Sequence, residues 1–194
     1  MNLRFLIFPL LLLVSNLSAQ NKFETVDGAA FKIDGLSFTL KKEAILKKFG
    51  KPSKIFEPKY ECGFLSEAEQ GNKYYSLDYG NIKFTGNSKE GYLLEEIRLV
   101  PALHHKVTFR NKLISHKTTK KEFESIFGFK ISGGETTTSV PITNRDVNDR
   151  GSFITDKKQL FTGEKVLYKK GGDDAFVFTF VNGLLSKIEY WSPC

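Results

Sequence analysis

A chain of 194 residues with 29 Lys and Arg, 22 Asp and Glu and a formal net charge of +7 is long enough for one compact domain or two small ones. Its basic excess is scattered through the chain as solvated lysines and comes with no recognisable nucleic-acid-binding motif, so no nucleic-acid partner is expected. Beyond the first twenty residues no run approaches the roughly eighteen apolar residues of a membrane helix.

The chain opens MNLRFLIFPLLLLVSNLSAQ. Arg4 supplies a positive start, Phe5 to Val14 an apolar run, and Ser15 to Ala19 a polar, small-residue exit, which together read as a secretory signal over residues 1–19. Leu17-Ser18-Ala19 has the outline of a lipoprotein box, but Gln20 stands where the acylated Cys must be, so no lipid anchor is expected. The mature chain is expected to begin at or near Gln20 and to be a soluble bacterial protein, periplasmic or secreted.

Next come an extended stretch, FKIDGLSF, and TLKKEAILKKFGKP from Thr39 to Pro52. Thr39 offers an N-cap, Ile45 and Phe49 share one helical face, Gly50 suits a left-handed end and Pro52 prevents resumption. Three short runs follow, with Tyr75, Leu77 and Tyr79 alternating, a Gly80-Asn81 turn, Ile82–Phe84 and Leu93–Leu99. The second half repeats the order. KVTFRNKLIS precedes TTKKEFESIFG (Thr118 to Gly128), in which Phe123 and Phe127 share a face. Val166–Tyr168, then Phe176, Phe178 and Phe180 in alternation, an Asn182-Gly183 hairpin signal and Leu184–Trp191 complete it. At one common offset Leu36 falls on Ile114, Ile45 on Phe123, Phe49 on Phe127 and Gly50 on Gly128. The expected fold class is therefore α+β: two tandem units, residues 20–103 and 104–194, each a helix laid on a three-stranded antiparallel meander.

The Thr-Lys-Glu-type helix start, the Phe-Gly helix end and the following meander resemble the tandem-repeat β-lactamase inhibitor proteins and the small outer-membrane assembly lipoproteins. The carriers are Thr39 to Pro52 and Thr118 to Gly128. The resemblance implies a protein-binding scaffold. It departs from the family pattern in showing one clear helix per half and in lacking the lipid-bearing Cys, and it transfers no binding residue.

Chemistry is sparse. There is no Gly-x-Ser-x-Gly elbow, and Cys62 in YECGF has no surrounding signature of a nucleophile. Adjacent His104 and His105 point opposite ways if extended, and His116 sits just before the second helix, so no zinc site is expected. Asn144, Asp146 and Asn148 have calcium-loop spacing, but Asp149 stands where the glycine belongs and Thr155 where the bidentate acid belongs. No cofactor or metal is expected. Cys62 and Cys194 either pair as a disulfide in an oxidising compartment or remain two thiols.

Two features point to recognition instead. The polar segment from Ser132 to Asp149, which includes Thr138 and Arg145, has little counterpart in the first half and reads as a long surface loop or a Thr-rich excursion into a hairpin. The last hairpin is apolar on both faces. With Phe176, Phe178, Phe180, Ile188 and Tyr190 inward, Val177, Val181, Leu185 and Trp191 face away. That face either packs against the other unit or is covered by a partner. The expected function is a non-enzymatic protein-binding module acting in the cell envelope or periplasm, with Trp191, Val177, Val181, Thr138 and Arg145 at the interface. An inhibitor, an immunity-type protein and an envelope-assembly protein are versions of it. The alternative is a periplasmic hydrolase or small-ligand-binding enzyme, which would show a concave pocket with converging titratable groups.

Overall fold

The computed structural model of the protein describes residues 24–58, 71–131, 136–143 and 155–192, and over 136–161 the backbone alone. Residues 1–19, Cys62, Arg145 and Cys194 lie outside the described residues, as does the side chain of Thr138.

The elements in order are β1 (Thr25–Val26), a 3-10 turn (Gly28–Ala30), β2 (Phe31–Ile33), β3 (Leu36–Ser37), β4 (Thr39–Leu40), α1 (Lys42–Phe49), β5 (Lys54–Phe56), β6 (Tyr75–Asp78), β7 (Ile82–Asn87) and β8 (Gly91–Arg98). Then follow β9 (Val107–Phe109), β10 (Lys112–Ile114), α2 (Lys120–Phe127), β11 (Thr136–Thr143), β12 (Thr155–Lys169), β13 (Ala175–Val181) and β14 (Leu184–Trp191).

The fold is mostly β and is not two tandem helix-plus-meander units. Among the described residues, ten strands form one large sheet along the path β1-β12-β13-β14-β8-β7-β6-β5, with β11 added on β12 and β4 on β8. A second sheet runs β10-β9-β2-β3. The reason lies in pairing across the halves. β14 pairs antiparallel with β8, Ile188 opposite Ile97, so the two expected meanders share one continuous hydrogen-bonded surface. β2 pairs with β9, Phe31 opposite Phe109, so the stretches ahead of the helices join each other. Each merger removes a pair of free strand edges, which separate units would have exposed.

The two α-helices found among the described residues are eight residues each and are not equivalent. α2 is capped by Thr119, whose hydroxyl accepts from the Glu122 N–H while the Glu122 carboxylate accepts from the Thr119 N–H. α1 starts at Lys41 with no side-chain cap, and Thr39 lies in β4 instead. Gly128 ends α2 in the left-handed conformation, whereas Gly50 has φ 76 and ψ −154. Phe127 is buried and stacks on Phe123 and Phe109, while Phe49 is only half-buried, against Phe84, Tyr79 and His105. Thr119→Ala is expected to lower stability by about 1 kcal/mol, read as a lower urea midpoint at unchanged slope.

The core fills the space between the sheets with aromatic rings. Phe31 on β2 meets Phe176 and Phe178 on β13, and Phe123 and Phe127 on α2 meet Phe178. The last hairpin closes at Asn182-Gly183, both at positive φ, 51 and 75, as a two-residue type I′ turn requires. A register shift between Thr179 and Phe180 corrects one expectation. Below it Leu185 pairs with Phe180 and turns inward, 1% exposed, so it does not join the outer face.

Candidate functional site

The outer face of β12, β13 and β14 carries the residues that sequence reasoning placed off the core. Cross-strand partners share a face, so the register sets its rows. One row is Val166, Val177 and Glu189; the next is Tyr168, Ala175 and Trp191. Trp191 is 45% exposed and Val166 40%, with Val177 half-buried beside them. The structure thus brings Trp191 and Val177 onto adjacent rows. It puts Val181 at the far end by the hairpin turn, opposite Leu184 and separated by the Thr179–Lys187 rung. Leu184 is also exposed there. Thr138 sits in β11 opposite Leu160, so the segment that includes it is in part a strand of a long hairpin.

Charges border the apolar rows. Lys187 pairs in register with Arg98, and Glu189 with Glu96. Like charges directly opposite are unfavourable, and each strand relieves this along its own length: Lys187 meets Glu189 at 2.7 Å and Arg98 meets Glu96 at 2.7 Å. Beyond them Lys83 meets Glu95 at 3.0 Å, and Glu95 accepts from the Thr85 hydroxyl. The result is an apolar patch with an aromatic anchor at one end of the sheet and a self-neutralised polar band beside it.

The inner face of the same end holds a cleft of about 370 Å³ between the Gly28–Ala30 turn, the β3–β4 stretch and the ends of β12 to β14. Phe38, Phe176 and Leu93 give it apolar walls; Asp27, Lys169, Lys170 and Tyr190 give it polar ones. The Asp174 carboxylate organises the polar side. It accepts from the Tyr190 hydroxyl, from Lys169 Nζ at 3.0 Å and from Ser192 Oγ at 2.7 Å, and Lys169 Nζ also reaches the Tyr190 oxygen at 3.1 Å. Burial pushes the Asp174 carboxyl up, but the hydrogen bonds from Tyr190, Ser192 and Lys169 outweigh it and hold the group below its usual range. The hydrogen bonds to Tyr190 and Asp174 raise the Lys169 ammonium, and burial, reinforced by Asp174, raises the Tyr190 hydroxyl.

Chemically this set is closed. Lys169 and Tyr190 stay protonated and Asp174 ionised around neutrality, and it contains no pairing of a nucleophile with a free base. Among the described residues no group of three or more His, Cys, Asp or Glu side chains is placed to hold a metal ion. His105 binds Asp34 at 2.8 Å and packs on Phe49. A second, shallower groove of about 400 Å³ runs between Lys112–Ser115 and α2.

Asp174 and Asp34 set a pH dependence. Burial pushes Asp34 up, but the hydrogen bonds from His105 and from the Lys106 backbone, with the charges of His105 and Lys48, leave it lowered. A carboxyl lowered on folding stabilises above its unfolded value, here near 3.8, and that contribution is lost as pH falls through the folded value. Stability is therefore expected to decline below about pH 4, and the combined substitution Asp34→Asn and Asp174→Asn should flatten that decline in urea titrations.

Sequence reasoning named Trp191, Val177 and Val181 for an interface and did not name Val166 or the Lys169–Asp174–Tyr190 set as candidates; the first two lie near Val166, and Val181 lies apart from them. Val166 alternates with the buried Lys165 and Leu167, and pairing about the Gly171-Gly172 turn would have put it opposite Val177. No family model, no curated protein and no solved structure matches the chain. Among the described residues no helix is long and apolar enough to cross a membrane.

Proposed function

We propose that the protein is a non-enzymatic binding module of the bacterial cell envelope or periplasm, which docks another protein on the outer face of β12 to β14. One observation carries the reading: a large aromatic side chain, Trp191, stands exposed beside the in-register valines Val166 and Val177, with a charged band next to them. An apolar centre with an aromatic anchor and a polar rim is the usual anatomy of a protein interface. An inhibitor or immunity-type role and an envelope-assembly role both use such a face.

The test compares partner binding by the chain from Gln20 with that of Trp191→Ala and Val177→Asp. Truncating an interface anchor costs about 2 kcal/mol or more, so at least a tenfold loss is expected for each, with unchanged melting. A photo-crosslinker placed at Val166 should label the same partner. Undiminished capture by both variants would reject this face.

A small-ligand-binding reading is favoured by the cleft beneath, where titratable groups converge on aromatic walls. Native mass spectrometry that finds a stoichiometric small molecule, lost in Tyr190→Phe, would replace the first reading with that one.

A further inference from the structure

The outer positions of β14 have an order of their own. Val181 pairs with Leu184, Thr179 with Lys187, Val177 with Glu189 and Ala175 with Trp191, so these four β14 residues share the outer face at successive rungs. The register shift passes over Ser186 and brings Leu184 within one rung of Lys187. The order is apolar, cationic, anionic, apolar. Leu184 is 41% exposed, close to the value for Trp191, and Lys187 and Glu189 each keep about a third of their side-chain surface. β8 repeats the charged middle, with Arg98 opposite Lys187 and Glu96 opposite Glu189. A doubly positive rung therefore lies beside a doubly negative one. The four charges sum to zero, but their separation into two rows gives the face a dipole along the strands.

Such a face is complementary to itself. Take a two-fold axis lying against the face, perpendicular to the strands and crossing the Ile188–Ile97 rung. It turns each row onto its opposite. Lys187 and Arg98 of one copy meet Glu189 and Glu96 of the other, and Trp191 meets Leu184, each contact occurring twice. A two-fold parallel to the strands does the reverse: it lays carboxylates on carboxylates and cations on cations, so the charges select one arrangement against the other. The match ends at β12, where Val166 would meet Glu164 of the second copy, and that strand marks the margin.

We propose that the outer face of β13, β14 and β8 docks a second copy of this chain about that axis, as an isologous dimer. The inference rests on the reading that this face docks a protein, and it names the partner. Stacked sheets lie about 10 Å apart and cross at about 30°, so the rows need to agree only close to the axis, on β14 and β8, where they do. There each cation lies between the carboxylate of its own chain and that of the second copy, and Trp191 and Leu184 exclude water from both ends of the charged rows. A contact of three strands is smaller than a standard interface, so the dimer is weak and dissociates on dilution.

Sedimentation velocity on the chain from Gln20, over a series from about 1 μM to about 1 mM, tests this. The dimer fraction of the parent is expected to grow through the series. Lys187→Glu sets carboxylate against carboxylate at both symmetric places, and association should weaken by about tenfold or more. The variant should fold, because the new carboxylate faces Arg98 within its own rung and removes a like-charge pair. Lys187→Glu combined with Glu189→Lys restores opposite signs across the axis and should return association to the parent level. Trp191→Ala should weaken it again. A parent that stays monomeric throughout overturns the inference. So does a dimer that Lys187→Glu leaves unchanged, or one that the double exchange fails to restore. A monomeric parent that still captures a different protein, with capture lost in Trp191→Ala, overturns the second copy as occupant and leaves the docking reading in place.

Discussion

Phe31→Ala is expected to destabilise the protein by about 4 kcal/mol, in the upper range for a truncated core phenylalanine. Phe31 is fully buried, 0% exposed, and its ring lies between 4.5 and 6.0 Å from those of Phe38, Phe109, Phe127, Phe176 and Phe178. It belongs to β2 in the small sheet, whereas Phe176 and Phe178 belong to β13 in the large one, so this side chain bridges the two sheets. The cavity left by alanine would be walled by rings whose backbones are fixed in two separate ladders and in α2. Such walls relax little, and the cost of a cavity rises with the volume that stays unfilled. Phe49→Ala makes the comparison. Phe49 is half-buried at the margin, so solvent can occupy the space and the loss should be roughly half as large. Urea denaturation of the two variants separates them, and equal midpoints would mean that Phe31 is not a joint between the sheets.

Much of the local structure can be read in the chain, and the assembly much less. Phe176, Phe178 and Phe180 alternate with smaller residues, and Asn182-Gly183 admits the two positive φ values of a tight hairpin, so β13 and β14 are visible from composition. Ile97 and Ile188 would look the same whether their strands lay in two sheets or side by side in one. Pairing between distant strands leaves no local mark, and for that reason the continuous sheet was not legible. The register shift at Thr179 and Phe180 depends on backbone geometry and turned Leu185 inward against a strict two-residue period. β11 lies in a Thr-rich stretch without alternation, which reads equally as loop or ribbon. At the site, Trp191 and Val177 were legible because they broke the expected polar face. Lys169, Asp174 and Tyr190 were not, since the turn at Gly171 and the β13–β14 pairing bring together the end of β12, the residue before β13 and β14.

Gly86→Ala is expected to cost about 3 kcal/mol although it adds only a methyl group, at the upper end for forced overpacking. A Cβ at Gly86 would lie 2.0 Å from Gly91 O, 2.6 Å from Tyr92 Cα and 2.9 Å from Gly91 C. All three are backbone atoms, so no side-chain rotation can relieve the overlap. The strands themselves must part, which breaks the pairings of Gly86 with Tyr92 and of Asn87 with Gly91. β8 cannot simply shift away, because β4 pairs on its other edge, Leu40 opposite Tyr92, and Leu40 O already lies 3.1 Å from where a Cβ of Gly91 would be. Tyr92 is buried and would be dragged with the strand. The damage should spread to β4 and to the Asn87 side chain, which holds the turn by accepting from Lys89 N–H and Glu90 N–H. Gly172→Ala is the control: its nearest neighbour is 3.9 Å away, on the Asp174 side chain, so little change is expected. Thermal melting compares the pair directly. If Gly86→Ala melts with Gly172→Ala, then β7 and β8 do not approach closely enough at Gly86 to demand glycine, and the account of how β8 is gripped between β7 and β4 falls with it.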